Sequence, residues 1–108
     1  RAKLYQKGKV SPGESLVIKL PEGKLYALTL SYSGIPTTNM CIIKTGSPMA
    51  NTNTKVFEPF GSESRMTVLP NDRQKDGVNM PPTPGITISD SNNYVDMNYK
   101  IYEMPYIF

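Results

Sequence analysis

The chain has 108 residues and a formal net charge of +3, and 38% of its residues are hydrophobic. This length and composition predict one domain with a thin core, and no apolar run is long enough to cross a membrane as a helix. The chain has no histidine and one cysteine, which excludes histidine-based catalytic triads, histidine-based zinc sites and an intramolecular disulfide.

The N-terminal segment is basic, because four of the twelve cations lie in the first nine residues. Segment Lys3–Val10 predicts a short strand that is interrupted at Gly8. One interpretation is a basic arm that binds nucleic acid or an anionic surface. The favoured interpretation is an exposed edge strand whose lysines discourage pairing with another edge. No nucleic-acid-binding motif is present, so nucleic acid is not a predicted partner.

Residues 24–33 are the segment around which we expect the fold to be organised. Alternation along a strand places four large apolar side chains on one face, namely Tyr26, Leu28, Leu30 and Tyr32. Residues 15–20 alternate in the same way, and residues 21–23 are a tight-turn signal. Together these segments predict a β-hairpin.

The middle of the chain alternates short apolar runs with Pro and Gly. Residues 39–44 predict a buried strand, in which Cys41 is a small core side chain. Residues 55–60 hold a proline between two phenylalanines and predict an edge strand. Residues 65–69 predict a further strand.

The C-terminal part predicts two more strands. Residues 86–89 are a short one, and residues 94–104 alternate between an apolar and a polar face. The apolar face consists of Val95, Met97, Tyr99 and Ile101, and Lys100 lies on the other face. This pattern is typical of a half-buried strand with one solvated face.

Acidic and amide side chains near residue 90 raise the question of a metal site. Asp90, Asn92 and Asp96 offer oxygen ligands at short spacing, as calcium requires. The favoured interpretation is a turn stabilised by its own Asx side chains, because the EF-hand pattern is incomplete. The nine acids are scattered singly, so no carboxylate pair for glycoside hydrolysis stands out. We predict no metal, no cofactor and no catalytic activity.

About eight short strands separated by turn signals, with no helical pattern, predict the fold class. It is an all-β, antiparallel β-sandwich of jelly-roll type. We expect residues 1–108 to form a single domain. Because the chain starts with Arg1 rather than Met, we expect a fragment or a processed part of a larger chain.

Polar loops and tyrosines supply the predicted binding residues. Residues 45–54 predict an exposed loop, residues 71–85 predict a long irregular loop, and four tyrosines cluster near the asparagine-rich turn 90–93. Tyrosine faces stack on sugar rings, although tyrosine is also an ordinary strand residue. The predicted binding residues are Asn51, Asn53, Arg73, Asn92, Asn93 and Tyr94.

The chain ends in the apolar residues Tyr106, Ile107 and Phe108. An isolated monomer would expose them, and exposed apolar patches commonly mark interfaces. A closed homo-oligomer would bury the tail of each copy against its neighbour. The alternative is a tail that folds back over its own sandwich.

The strand LYALTLSYSG, the turn ITISDSNN and the closing strand YKIYEM resemble the small C-terminal head domains of bacteriophage tail fibres and tailspikes. The resemblance covers the second half of the chain and residues 24–34. It implies a β-sandwich, a homotrimer about a threefold axis, and distal loops that bind a glycan or protein on the host cell surface. We therefore expect a non-catalytic receptor-binding or trimerising head domain in the virion.

Two other functions remain open from the sequence. One is a carbohydrate-binding module of a larger enzyme, although the chain has no tryptophan to serve as a stacking platform. The other is a virion structural protein or capsid decoration protein that binds only other virion chains.

Overall fold

The computed structural model describes residues 2–34, 38–46, 54–57, 66–70, 85–90 and 94–105. These residues form eight strands and no helix. The strands are β1 (Lys3–Val10), β2 (Ser15–Lys19), β3 (Leu25–Tyr32), β4 (Thr38–Lys44), β5 (Lys55–Phe57), β6 (Met66–Pro70), β7 (Gly85–Asp90) and β8 (Met97–Glu103). The predicted all-β class is confirmed. Within the described residues, no helix is long and apolar enough to cross a membrane.

The strands form two antiparallel sheets. A five-stranded sheet has the order β1-β8-β3-β4-β5, and a three-stranded sheet has the order β2-β7-β6. Buried side chains from both sheets belong to one hydrophobic cluster, so the architecture is sandwich-like.

The predicted hairpin between residues 15–20 and 24–33 is wrong. β2 pairs with β7, whereas β3 pairs with β4 and β8. The turn exists, with Gly23 at φ 71°, but it carries the chain from one sheet to the other. Local turn chemistry identifies a reversal of direction but does not determine which strands pair after it.

Thr45 holds this crossover in place. Its hydroxyl donates to the carbonyl oxygen of Pro21 (2.7 Å) and accepts from the backbone N–H of Lys24 (2.8 Å). Its backbone also bonds to Gly23 and Lys24. Thr45 is buried, as are Gly46 and Thr54, so the prediction that residues 45–54 form an exposed loop is wrong at the three positions of this segment that the structure describes.

The strand patterns read from the sequence are confirmed within β3 and β8, but β8 begins at Met97 rather than at residue 94, and Val95 is half-buried before it. Tyr26, Leu28 and Leu30 on β3 are fully buried, and so are Met97 and Ile101 on β8. Leu28 lies directly opposite Ile101 and, on the other side, opposite Cys41. Cys41 is buried as predicted. These pairs form the centre of the core.

β1 lies at the edge of the five-stranded sheet, as predicted, but Gly8 does not interrupt it. The irregularity falls between Leu4 and Gln6. There the ring of Tyr5 packs edge-on against Tyr26, with centroids 5.5 Å apart, and Gln6 Nε2 donates to Tyr99 Oη (2.9 Å). Such a bulge turns two consecutive side chains toward the core.

Gly8 marks a close approach of two strands rather than a break in the strand. A Cβ atom there would lie 2.9 Å from the ring of Tyr99, which sits opposite Gly8 in the register. Glycine therefore lets the ring of Tyr99 lie against the backbone of β1 without displacement.

Candidate binding surface

Most of the predicted site residues lie outside the described residues: Asn51, Asn53, Arg73, Asn92, Asn93, Tyr106, Ile107 and Phe108. Tyr94 is described, and it is 84% exposed just before β8. The tyrosine cluster is divided, since Tyr99 is buried in the core while Tyr102 is half-buried on the opposite face of β8. Asp90, weighed above as a calcium ligand, is buried and accepts a hydrogen bond from Tyr32 Oη (2.8 Å).

The outer face of the five-stranded sheet, which points away from the three-stranded sheet, carries a row of apolar side chains. Strand register aligns one apolar side chain from each strand in a single row. We call this the apolar row, and it consists of Leu4, Tyr102, Ala27, Ile42 and Phe57. Neighbouring strands lie about 4.8 Å apart, so the row extends for about 19 Å.

The ends of the apolar row are the most exposed. Leu4 is 45% exposed and Phe57 is 56% exposed. Ala27 at the centre is buried between its larger neighbours, and Met40, two residues from Ile42, is 47% exposed. A continuous apolar band of this kind on a solvated sheet face is a feature of binding surfaces.

Lysines flank the apolar row on both sides. Lys7 lies directly opposite Lys100, and on the far side of the row Lys44 lies directly opposite Lys55. Like charges in facing positions destabilise a sheet. Among the described residues of the five strands, the only acid is Glu103, which forms an ion pair with Lys24 (2.6 Å). Within the part of the chain that the structure describes, the charged side chains on the outer face are therefore mostly lysines.

A groove of about 500 Å³ lies on the β1–β8–β3 part of this face. Three exposed lysines line it, and we call Lys7, Lys9 and Lys100 the lysine triad. Ser31 and Asn98 add polar atoms, and Asn98 Nδ2 donates to Ser33 Oγ (3.1 Å). The groove offers cations beside hydroxyl and amide groups, which suits an anionic ligand that also carries hydroxyls.

A second groove, of about 420 Å³, lies between the edge strands β5 and β6. Val56, Val68 and Leu69 are among the residues that line it, together with Thr54 and Lys55. Within the part of the chain that the structure describes, no group of three or more acidic or cysteine side chains is arranged to hold a metal ion.

Tyr26 marks the end of the core nearest Glu103. Its hydroxyl is buried and has no hydrogen-bond partner among the described residues. Burial raises the pKa of the Tyr26 phenol well above its usual value, and the negative charge of Glu103 and the neighbouring Tyr5 add to that rise. The folded state therefore favours the neutral, protonated phenol of Tyr26.

The sequence contained a signal for the apolar row, but the binding residues were predicted from the polar loops and that signal was not used. Tyr102 interrupts the polar face of the last strand, and Phe57 stands on a predicted edge strand. No local signal in the sequence indicated the lysine triad, because Lys7 and Lys9 are far in sequence from Lys100. Only the pairing of β1 with β8 brings them together.

Comparison of the chain with models of known protein families, with characterised proteins and with solved structures finds no match in any of the three.

Proposed function

We propose that this chain is a non-catalytic attachment domain of a virion, namely the receptor-binding or trimerising head domain of a bacteriophage tail fibre or tailspike. In this role it binds a glycan or a protein on the host cell surface. The observation that supports attachment most strongly is the apolar row, which is exposed at both ends and flanked by lysines. The resemblance of the strands to such head domains supports the virion context.

The strand order also supports a jelly-roll-like topology as part of this proposal. β3, β4 and β5 are consecutive neighbours, and β8 returns to lie beside β3. This is the spatial order of a Greek key, with β6 and β7 diverted into the other sheet. Jelly rolls are built from two such keys and eight strands. Here the eight strands are divided into sheets of five and three rather than four and four.

We further propose that the domain assembles as a homotrimer through the apolar tail Tyr106, Ile107 and Phe108. The outer face of the five-stranded sheet is poorly suited to stacking against its own copy, because the lysines of two such faces would come together.

Light scattering on the full chain at micromolar concentration tests the proposal. We expect a mass three times that of one chain, and deletion of residues 106–108 should yield monomers whose stability no longer depends on protein concentration. A monomeric full chain would contradict the trimeric fibre head. If that monomer bound polysaccharide, a carbohydrate-binding module would become the better assignment.

A further inference from the structure

The lysine triad has an arrangement that the fold alone does not explain. Lys7 and Lys100 face each other across two hydrogen-bonded strands, and Lys9 lies diagonally from Lys100. Facing positions place Cβ atoms about 5 Å apart, and diagonal positions are still within reach of long side chains. Three cations are therefore gathered over a small area of the sheet.

Protection of the sheet edge accounts for only part of this arrangement. Lysines on an edge strand discourage pairing with other chains, and Lys7 and Lys9 belong to the edge strand β1. Lys100 belongs to β8, which is hydrogen-bonded on both sides by β1 and β3. A lysine in that position protects no edge, and it increases the repulsion on Lys7.

The rest of the groove indicates what would relieve the repulsion. Ser31 and Asn98 line the groove together with the triad, and Tyr102 of the apolar row lies two residues beyond Lys100 on the same face. Charged lysines bind phosphate or carboxylate groups. Hydroxyl and amide side chains bind sugar hydroxyls, and an aromatic face accommodates the apolar side of a sugar ring.

We infer that the lysine triad binds the phosphate or carboxylate groups of an anionic glycan lying across the outer face, an inference that rests on the attachment function proposed above. An anionic group occupies the groove between Lys7, Lys9 and Lys100. The sugar backbone then extends toward Tyr102 along the apolar row. The charge of the glycan, rather than its neutral sugar sequence, provides much of the affinity.

Matched polysaccharides test this inference on the full chain. The probes are polygalacturonate and its carboxyl-reduced form, and a glycerol-phosphate-substituted bacterial polysaccharide before and after removal of its phosphate. Binding is measured by calorimetry at low and at high salt. We expect the chain to bind the charged member of at least one pair, with affinity falling as salt rises, and to bind its neutral counterpart at least about tenfold more weakly.

Two variants of equal net charge locate the site. In the first, Lys7→Gln and Lys100→Gln are combined; in the matched control, Lys3→Gln and Lys19→Gln are combined, both outside the groove. The first should weaken binding of the anionic polysaccharide at least about tenfold, and the control should change it less than about threefold. A cooperative thermal unfolding transition at or above the temperature of the unsubstituted chain shows that each variant is folded.

Several outcomes would overturn the inference. Equal binding of charged and neutral polysaccharides, unaffected by Lys7→Gln and Lys100→Gln, would reject the anion site while leaving the attachment function standing. Absence of binding to both anionic probes at low salt would reject it as well. Tighter binding to vesicles of anionic phospholipid or to duplex DNA would assign the triad to a different partner. A monomeric chain that binds anionic glycan through the triad would reject the fibre head alone.

Discussion

The two faces of the five-stranded sheet use the same strands in opposite ways. On β8, Ile101 is fully buried against the three-stranded sheet, while its neighbour Lys100 is exposed. The inner face pairs large apolar side chains and is closed by the second sheet. The outer face keeps an apolar row and facing lysines that the core does not require. The comparison separates what stabilises the fold from what is available for binding.

Substitutions at the centre of the inner face should have the largest effect on stability. Leu28 and Ile101 face each other with no exposed surface. Leu28→Ala or Ile101→Ala should each lower the free energy of unfolding by about 2–5 kcal/mol, because truncation leaves a cavity in the core. Urea unfolding measures this loss. A cost below that of an outer-face substitution would contradict the assignment of the faces.

Gly8 tests how closely β1 packs on the inner face. Gly8→Ala should destabilise by about 1–3 kcal/mol, since the new methyl group would collide with the buried ring of Tyr99. Alanine normally stabilises a strand relative to glycine, so the sign of the effect is diagnostic. In a Tyr99→Leu background the cost should be smaller, as a double-mutant cycle would show. An equal cost in both backgrounds would show that the methyl group of Gly8→Ala does not collide with the ring of Tyr99.

Tyr26 is the inner-face residue whose polar group should reduce stability. Tyr26→Phe removes a buried hydroxyl that has no partner among the described residues, and it should raise the free energy of unfolding by about 1 kcal/mol at pH 7. Tyr102→Phe on the outer face is the matched control and should have a smaller effect. A loss of stability in Tyr26→Phe would mean that the hydroxyl has a stabilising partner.

The same residue gives a pH dependence. The folded state raises the pKa of Tyr26 above that of the unfolded chain. Ionisation of this phenol therefore does not change the free energy of unfolding below about pH 10. At higher pH the free energy of unfolding falls, since the unfolded chain releases the Tyr26 proton more readily than the folded chain does. The stability advantage of Tyr26→Phe should therefore grow above about pH 10. An advantage that stays constant would contradict the raised pKa.

Lys100 should give the smallest effect on stability. Lys100→Ala should change the free energy of unfolding by less than about 0.5 kcal/mol. We expect a gain in stability at low salt, because the substitution removes the repulsion with Lys7. Unfolding at low and high salt measures it. A large loss would indicate that Lys100 packs in the core and that the register of β8 is shifted by one residue.

The sequence predicted the strands well and the connections between them poorly. Alternation alone identified Tyr26, Leu28, Met97 and Ile101 as core residues, because a period of two is a local property. The pairing of β2 with β7 depends on contacts between distant residues, and no local signal specifies it. The lysine triad was not predicted from the sequence for the same reason, since its members meet only through the register of β1 and β8.

Lysine acylation footprinting, read by mass spectrometry, tests most directly whether the outer face is the attachment surface. The full chain is labelled with and without the anionic polysaccharide that binds it best. We predict that labelling of Lys7, Lys9 and Lys100 falls on binding, while Lys19, exposed on the outer side of the three-stranded sheet, is labelled equally in both samples. Protection of Lys19 with no change in the lysine triad would contradict the account.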